Sequence, residues 1–483
     1  MTGREHRAWH LHLGRPVGVQ KDPRCRFCDN MRKLIAQTVA SSLLRARAPT
    51  LERTVAGLAS GSHGIGYGAG PLQTMQSRSF ADAPYSFTPP GRNHLAVPGP
   101  VNIHEQVMRA MDRPSQNHRD PWFPPFFQQI LEDTKYIFKT KEGTAFIFPG
   151  TGTGGWEVGL TNTLSPGDKI VTFRYGQFSH LWIDMMKRLD LDVEVVEVEW
   201  GGGADEAKLE QILKADTDKK IKAVAVVHNE TTTGVTSDIG QVRQVMDSLS
   251  HPALLLVDGV SSIGALDFRF DEWKVDVAVT GSQKALSLPT GLAVVAVSPK
   301  ALEARKSAKL KRVYYDLEDQ LATNPSGNVP YTPSIPLLYG LRESLGLLKA
   351  EGIDNVVARH HRLAEGTRKA VEGWGLKLLC KEPRWNSDSL TVIRTPEGVD
   401  SAKIVKEAYS RYNLSLGVGL SEVAGKVFRI GHLGNNDEVM VGSYLFGAEM
   451  AMISAGLPIK PGSGVSKAIE YWSATSNVIP TRG

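Results

Sequence analysis

A single lysine, Lys284, stands between two apolar runs in the stretch DVAVTGSQKALSLPTGLAVVAV, residues 276–297. Strands this apolar usually lie buried, where an ammonium without a partner is costly. Burial also lowers the pKa of a lysine, and the free amine is then a nucleophile and a proton carrier. Most lysines are solvated surface residues, so Lys284 indicates chemistry only if other groups accompany it.

Several other chemically able residues stand where an apolar run ends. Asp258 follows the continuous run ALLLV, and His228, Glu230 and Thr231 follow IKAVAVV. A carboxylate at such a position is costly unless it meets a cation or a polarised N–H. Phe178 lies just beyond a third run, KIVTF, where its flat ring could stack on a planar ligand.

A glycine- and threonine-rich segment, PGTGTGGWE, follows the run TAFIF. We expect an amphipathic helix to begin near Gly155. Its N-terminal N–H groups and its dipole would form an anion site, to which Thr151 and Thr153 add hydroxyls. This segment therefore predicts a phosphate site.

The same glycines leave a second interpretation open. Gly150, Gly152 and Gly155 satisfy GxGxxG, the dinucleotide fingerprint. That fingerprint needs a ribose-binding acid about 20 residues further on, and the next strand end has Arg174 instead. An NADP-dependent reductase is the weaker alternative, because it would leave Lys284 without a role.

One ligand accounts for a phosphate loop, a stacking ring, a buried acid and a buried lysine: pyridoxal phosphate. Lys284 would bind its aldehyde covalently, and Asp258 would keep the pyridine nitrogen protonated so that the ring withdraws electrons from a substrate Cα. Thr231 could hydrogen-bond the phenolic oxygen, and Gln283 could brace the cofactor beside the lysine. We interpret His228 as a structural histidine.

An amino-acid substrate of this cofactor needs a partner for its α-carboxylate. A guanidinium binds a carboxylate with two parallel hydrogen bonds. In AGKVFRIGHLGN, Arg429 stands at the end of a short β-type run followed by glycine. We interpret this region as part of a second, smaller α/β domain, and we expect Arg429 to bind the carboxylate.

These residues need a scaffold that brings strand ends together. Apolar runs alternate with segments of helical length, which predicts a large, mostly parallel seven-stranded sheet covered by helices. The runs are TAFIF (144–148), KIVTF (169–173), VEVVEVE (193–199), IKAVAVV (221–227), ALLLV (253–257), DVAVT (276–280) and LAVVAV (292–297). The last two are too close for a helical crossover, so one of them should be antiparallel. Ligands of such sheets bind at the carboxyl ends of the strands.

Eight motifs, in this order along the chain except for the last two, carry a family resemblance: GTGTGGWE, GQFSHLW, HNETTTGV, LLLVDGVSS, GSQKAL, FRIGHLG, HLAVPGPVNI and YTPSIPLLYGLRESL. Over about residues 90–450 the chain resembles the alanine/serine-glyoxylate group of the fold-type I, class V aminotransferases. The resemblance implies the α/β fold of these pyridoxal-phosphate-dependent transferases and a homodimer. It also implies amino transfer from L-serine to glyoxylate, giving hydroxypyruvate and glycine as in photorespiration. Alanine as the main amino donor is the alternative.

The resemblance assigns cofactor contacts to residues at the strand ends and in one later loop: Thr151, Gly152, Thr153, Phe178, Thr231, Asp258, Gln283, Lys284, Tyr331 and Ser334. Lys284 would form the Schiff base, and Arg429 would bind the substrate carboxylate. Tyr331 and Ser334 would reach the phosphate of the neighbouring subunit. The loop before them, LEDQLATNPSGNVPYTPS, lacks the bulkier aromatics of plant relatives, which leaves the preferred amino donor open.

A cysteine desulfurase would share this fold but needs a mobile nucleophilic cysteine. Cys380, in LKLLCKEPRW, has a strand-like context rather than that of an exposed loop. Cys25 and Cys28 form a CxxC without a second pair at zinc-finger spacing, so no metal is expected.

We expect five segments: a leader (1–80), an arm (81–105), a large cofactor-binding domain (106–335), a small C-terminal domain (336–460) and a tail (461–483).

The leader has the composition of a targeting segment. Residues 31–80 contain several Arg, many Ser and Ala and a single acid, Glu52, as in organelle transit peptides. The stretch RSFA at residues 78–81 resembles a mitochondrial processing site, and the ending IPTRG is not a peroxisomal tripeptide. We expect a mitochondrial protein, with the chloroplast and the peroxisome as alternatives.

The composition otherwise fits an enzyme that acts on small molecules. Of 483 residues 41% are apolar, yet no apolar run approaches the roughly 18 residues of a membrane span. Much of the net charge of +5 comes from the leader. The rest of the chain is close to balanced, so neither a nucleic-acid nor a membrane partner is expected.

Overall fold

The computed structural model describes residues 91–476, all of which belong to one compact unit of the chain. The predicted leader with Cys25 and Cys28, residues 81–90 of the predicted arm and residues 477–483 of the predicted tail lie outside the described residues. No helix within residues 91–476 is both long and apolar enough to cross a membrane.

The strands are β1 His94–Ala96, β2 Thr144–Pro149, β3 Lys169–Arg174, β4 Asp192–Glu197, β5 Ile221–Val227, β6 Asn229–Glu230, β7 Val235–Thr236, β8 Leu254–Asp258, β9 Val277–Gly281, β10 Leu292–Val297, β11 Lys377–Leu378, β12 Leu390–Arg394, β13 Leu414–Val418 and β14 Val427–Gly431. The helices are α1 Glu105–Met111, α2 Phe123–Phe138, α3 Gly152–Thr163, α4 Gln177–Arg188, α5 Glu206–Ala215, α6 Ile239–Ser248, α7 Pro299–Arg305, α8 Leu317–Thr323, α9 Ile335–Glu351, α10 Ile353–Gly373, α11 Ser401–Tyr412, α12 Glu438–Ser454 and α13 Ser463–Ala474.

The large sheet has seven strands in the order β2-β10-β9-β8-β5-β3-β4. β10 pairs antiparallel with both β2 and β9, whereas the pairs from β9 to β4 are parallel. The predicted mostly parallel sheet is therefore confirmed, and the antiparallel member is LAVVAV. The predicted bounds hold for β5 and β10, while β4 ends two residues earlier than predicted, where its pairing with β3 stops.

Apolar burial fixes this sheet against its helices. All six residues of β10 and all five of β9 are buried, and each buried Val or Leu side chain among them contributes about 1.5–3 kcal/mol to stability. Helix α3 packs directly on β9 and β10. At Gly155 it comes so close that an added Cβ would collide with Val279, so only glycine permits this approach. The packing sets the N-terminus of α3 at the carboxyl edge of the sheet.

A second, five-stranded sheet has the order β1-β13-β14-β12-β11. β14 lies between β12 and β13 and pairs antiparallel with both. Its edge strand β1 comes from the N-terminal arm and pairs parallel with β13, an arrangement that the sequence did not indicate. This sheet has an apolar core of its own, with Phe428 and Ile430 fully buried. The predicted domain boundary between residues 335 and 336 stays a prediction.

Candidate active site

Lys284 lies in the turn after β9, at the edge where the parallel strands end. Its Nζ donates a hydrogen bond to the carbonyl oxygen of Pro98 at 2.5 Å. Burial, reinforced by the positive charge of Arg429, lowers the pKa of Lys284 to about 8, although Asp258 opposes the shift. The amine therefore loses its proton far more readily than a solvated lysine does.

Asp258 is the last residue of β8 and is buried. Its Oδ1 accepts the N–H of Val260 at 2.8 Å. Burial nevertheless raises the pKa of Asp258 to about 7, because the N–H groups of Val260 and Trp156 only partly replace the lost water. A carboxyl group in this state is stabilised by a cationic partner, and a protonated ring nitrogen would be one.

Arg429 lies in the middle of β14 rather than at the end of a short run, because the strand pairs with β12 over its whole length. Its Nε donates to the carbonyl of Val418 and its Nη1 to that of Thr231, both at 2.9 Å. Burial lowers the pKa of Arg429 to about 10, and the charge of Glu230 opposes this. The group stays cationic at neutral pH, and neither bond uses Nη2.

The helix that follows the glycine loop begins earlier in the chain than predicted. Helix α3 begins at Gly152, three residues before the expected start near Gly155. Its N-cap, Thr151, is extended, and the Thr151 side chain makes no capping hydrogen bond. The first-turn N–H groups therefore keep their capacity to bind an anion, and the hydroxyls of Thr151 and Thr153 are exposed beside them.

Three further cofactor candidates lie at the same edge of the sheet. Phe178, in the first turn of α4, is half-buried and packs against the large core. Thr231 is buried, and its carbonyl accepts the hydrogen bond from Arg429 Nη1. The Oε1 of Gln283 is buried without a hydrogen-bond partner within residues 91–476. Such an orphaned oxygen fits a polar group bound beside this side chain.

Tyr331 and Ser334 lie beside this edge rather than in it. Both line a small cavity together with Pro149, the residue that precedes the glycine loop. The Tyr331 hydroxyl donates to Asp319 Oδ2 at 2.7 Å, and Ser334 is the N-cap of α9 without a side-chain capping bond. Their contact with the phosphate of a neighbouring subunit stays a prediction.

The contacts of His228 agree with a structural role. Its Nδ1 lies 2.8 Å from the hydroxyl of Ser262, and its ring packs against Phe268. Burial lowers the pKa of His228 to about 4, so the ring is neutral at physiological pH. A neutral imidazole with a hydrogen-bond partner is an ordinary core residue.

The structure argues against the two alternative chemistries, a cysteine desulfurase and an NADP-dependent reductase. Cys380 lies two residues beyond the end of β11 rather than within a strand. It is partly buried, and burial raises the pKa of its thiol, so it is a poor candidate for a desulfurase nucleophile. Arg174, the candidate for an NADP phosphate, is already paired with Glu197 at 2.8 Å.

Three groups at the site had no role in the sequence interpretation. The Pro98 carbonyl accepts the Lys284 hydrogen bond, and the hydroxyl of Tyr315 lies 2.7 Å from the position of a Cβ at Gly154 in the glycine loop. The third is Glu230, which is completely buried between Ser179 and Thr232. The sequence signal for Glu230 was an acid directly after a long apolar strand, and Pro98 lies in the motif HLAVPGPVNI.

An α/β sheet whose carboxyl edge holds a lysine, an aspartate and an uncapped helix N-terminus, with a buried arginine from a second sheet beside it, is the arrangement of a fold-type I transferase. Residues 113–420 match the family model "Aminotransferase class-V", and the chain belongs to that family. It is 58% identical over 387 residues to the serine–glyoxylate aminotransferase of Methylorubrum extorquens, covering 79% of this chain and 96% of that one. It is 56% identical over 394 residues to the serine–glyoxylate aminotransferase of Arabidopsis thaliana, covering 81% and 98%.

A solved structure has the same fold. The ureidoglycine–glyoxylate aminotransferase of Bacillus subtilis matches with a TM-score of 0.75 at 26% identity, covering 80% of this chain and 100% of that one. The cofactor of the class V aminotransferases is pyridoxal phosphate. The unpartnered Gln283 Oε1, the uncapped first turn of α3 and the raised pKa of Asp258 all fit this cofactor.

Proposed function

We propose that this protein transfers the amino group of L-serine to glyoxylate, which yields hydroxypyruvate and glycine. The observation that carries the proposal is the convergence of three groups. Asp258 ends β8 beside the end of β5, the turn after β5 holds Arg429 through the Thr231 carbonyl, and the charges of both residues act on Lys284. This convergence supports one site that combines a nucleophilic amine, a partner for the cofactor ring and a carboxylate-binding cation. Two close relatives bear the name serine–glyoxylate aminotransferase, which supports the choice of substrates.

The residues divide the work of transamination. When bound, pyridoxal phosphate supplies a ring that withdraws electrons from the amino-acid Cα. Asp258 would keep the ring nitrogen protonated. Lys284 Nζ would take the proton from the substrate Cα and deliver it to the C4′ carbon of the cofactor, and a pKa of about 8 suits both transfers near neutral pH.

Arg429 gives the reaction its orientation. With Nε and Nη1 bonded to backbone carbonyls, the guanidinium cannot rotate. The position of Nη2 is therefore fixed as well, because it belongs to the same planar group. A carboxylate bound there is held in one orientation, which fixes the substrate Cα relative to Lys284. Serine and glyoxylate share this carboxylate, so one site serves both halves of the exchange.

A donor comparison tests the proposal. Purified protein loaded with pyridoxal phosphate would receive glyoxylate with serine, alanine or aspartate, one donor at a time, and glycine would be measured. We expect serine to give the highest kcat/KM and parallel lines in double-reciprocal plots, as a two-stage exchange requires. A higher kcat/KM with alanine would favour the alternative activity, and no glycine from any donor would contradict the proposal.

We also propose that the active form is a homodimer. Tyr331 and Tyr314 are 37% and 41% exposed, although their rings stack at 5.2 Å. An exposed aromatic pair beside the glycine loop suits a surface that a second copy covers. Tyr331 and Ser334 would then complete the phosphate site of that copy.

Mixed dimers test this arrangement. A Lys284→Ala subunit and a Ser334→Ala/Tyr331→Phe subunit would each be defective alone. Combined in one dimer, they would form one site in which Lys284 from one subunit and Tyr331 and Ser334 from the other are all native. We expect activity to return on mixing. A mixture that forms dimers but stays inactive would contradict a shared site.

We further propose that the protein acts in mitochondria, where it would form glycine from glyoxylate as in photorespiration. The basic, acid-poor residues 31–80 support import driven by a negative-inside potential. Residues 31–85 fused to a fluorescent reporter should direct it to mitochondria, with a mature N-terminus near Ala81. Reporter in the cytosol, chloroplast or peroxisome would contradict the assignment.

A further inference from the structure

Glu230 is a buried acid at the carboxyl edge of the large sheet, and its exposure is 0%. Its Oε2 accepts the N–H of Ser179 at 2.9 Å, and its Oε1 accepts the N–H of Thr232 at 3.0 Å. Ser179 lies in the first turn of α4. The carboxylate therefore caps the N-terminus of α4, where a negative charge is favourable.

The position of this carboxylate is fixed from two sides. The backbone at Gly176 packs against it so tightly that an added Cβ would collide with the Glu230 carboxyl carbon. The hydroxyl of Thr232 also accepts the N–H of Gln177 at 3.2 Å. The turn that begins at Glu230 is thus bonded to the start of α4 through both Glu230 and Thr232.

The same turn reaches the carboxylate-binding arginine. Thr231 follows Glu230 directly, and its carbonyl accepts the Arg429 Nη1 bond at 2.9 Å. The charge of Glu230 also raises the pKa of Arg429 against the effect of burial. One acid therefore connects the helix that carries Phe178 with the guanidinium of Arg429.

We propose that Glu230 is a positioning residue that holds Phe178 and Arg429 in register across the site. Its carboxylate fixes the first turn of α4, and with it the ring of Phe178 that would stack on the cofactor. Its place in the turn holds the Thr231 carbonyl against Arg429. The inference rests on the proposed function for the identity of the two groups that Phe178 and Arg429 contact.

The role needs a carboxylate rather than any polar side chain. A carboxylate has two acceptor oxygens, and the two N–H groups use both. A glutamine has one oxygen and one NH₂, so one buried N–H would face another donor. Glu230→Gln keeps the shape of the side chain but cannot satisfy both N–H groups.

Glu449 offers a matched control at a distance from the site. It is also buried, at 4% exposure, and it caps α13 by accepting the N–H of Gly464 at 3.1 Å. Its other contacts are the Trp374 indole N–H at 2.7 Å and the backbone N–H of Gly462. Glu449→Gln therefore removes a buried helix cap of the same chemistry without touching Phe178 or Arg429.

The first measurement is a titration of the cofactor-free protein with each ligand, in which binding is monitored through the protein's fluorescence. We expect Glu230→Gln to weaken pyridoxal phosphate binding by about tenfold or more. Binding of inorganic phosphate, which depends on the α3 loop, should stay within about twofold. We expect Glu449→Gln to change neither affinity. Equal pyridoxal phosphate affinity in Glu230→Gln and wild type would overturn the inference.

A double-mutant cycle with Phe178→Leu tests the coupling itself. If Glu230 acts on the cofactor through the Phe178 ring, Glu230→Gln should add little to the loss caused by Phe178→Leu. If the two losses of pyridoxal phosphate affinity added fully in the double variant, the inference would be overturned, even if each single variant bound the cofactor weakly. Should the glutamine variant fail to fold, Glu230→Asp, which keeps the charge and shortens its reach, replaces it in the same cycle, and equal pyridoxal phosphate affinity in Glu230→Asp and wild type would overturn the inference.

Kinetics separate this inference from the proposed function. The serine KM of Glu230→Gln should rise several-fold through the loosened Arg429, with Glu449→Gln unchanged. An active wild type with an unchanged Glu230→Gln variant would overturn only the positioning role. A wild type that neither binds pyridoxal phosphate nor transaminates would overturn both.

Discussion

The Nζ of Lys284 and the carbonyl oxygen of Pro98 lie 2.5 Å apart, although 186 positions separate them in the chain. Pro98 follows β1, which pairs with β13 in the five-stranded sheet. In the same sheet Gly431, two residues after Arg429, packs against the backbone of Val97 without room for a Cβ. The arm thus joins the lysine to the sheet that carries the arginine, and the position of one depends on the other.

The contact predicts that a larger residue at Gly99 displaces Lys284. Gly99 has φ +112, and a Cβ there would lie 2.5 Å from Lys284 Cδ and 2.6 Å from Nζ. We expect Gly99→Ala to displace the lysine and to lower kcat by about tenfold or more, since small misplacements of reacting groups are costly. Gly91→Ala is the control, because Gly91 also has a positive φ, +89, but no atom within 4 Å. Equal activity in the two variants would show that the contact with Lys284 does not matter.

Replacement of the lysine itself should abolish the chemistry. We expect Lys284→Ala to lose the visible absorbance of the lysine-bound cofactor and all but a residual turnover, at least about a thousandfold, while its circular dichroism stays native. Lys274→Ala, at a position 66% exposed, should keep both signals. Rapid transamination by Lys284→Ala without added amine would refute the assignment.

The substrate carboxylate should need the fork of Arg429. An ammonium cannot make two parallel hydrogen bonds, and it would also lose the bonds to Val418 and Thr231. We expect Arg429→Lys to raise the serine KM by about tenfold or more. Arg394→Lys, at an exposed position of β12, is the control and should have no effect. An unchanged serine KM in Arg429→Lys would mean that another residue binds the carboxylate.

Asp258 should make the stability of the cofactor-free protein depend on pH. Its pKa is about 7 in the fold against 3.8 for an ordinary aspartate, so between these values the folded state holds a proton that the unfolded state has lost. Stability therefore falls as pH rises through this window, at about 1.4 kcal/mol per unit of pKa difference. Urea unfolding should show wild type losing stability relative to Asp258→Asn from pH 4 to pH 7, and no further change above. A difference independent of pH would contradict the burial of this acid.

The sequence was most informative where apolar burial decides the structure. The run LAVVAV is fully apolar, IKAVAVV is apolar apart from the exposed Lys222, and β5 and β10 have the predicted bounds. The edge of the sheet followed from the same pattern, so Lys284 and Asp258 could be placed near each other. Residues at strand ends needed only the topology of the sheet to converge.

The sequence was less informative where long-range packing decides. Helix α3 begins at Gly152 and contains several glycines although glycine disfavours helices, and at Gly155 the sheet beneath leaves no room for a Cβ. The strand β1 has three residues, too few to show a period, and exists only because β13 is beside it. The role of Glu230 depends on an N–H group 51 residues away, and no local pattern reports such a partner.

The most direct test of the central claim follows the amino nitrogen in a single turnover. Protein loaded with pyridoxal phosphate would react first with ¹⁵N-labelled serine, be freed of unbound amino acid, and then receive glyoxylate alone. We expect hydroxypyruvate in the first stage and ¹⁵N-labelled glycine in the second, each close to one equivalent per active site, with Lys284→Ala giving neither. Unlabelled glycine, or no glycine after the serine has been removed, would contradict an amino group held by the enzyme between its two substrates.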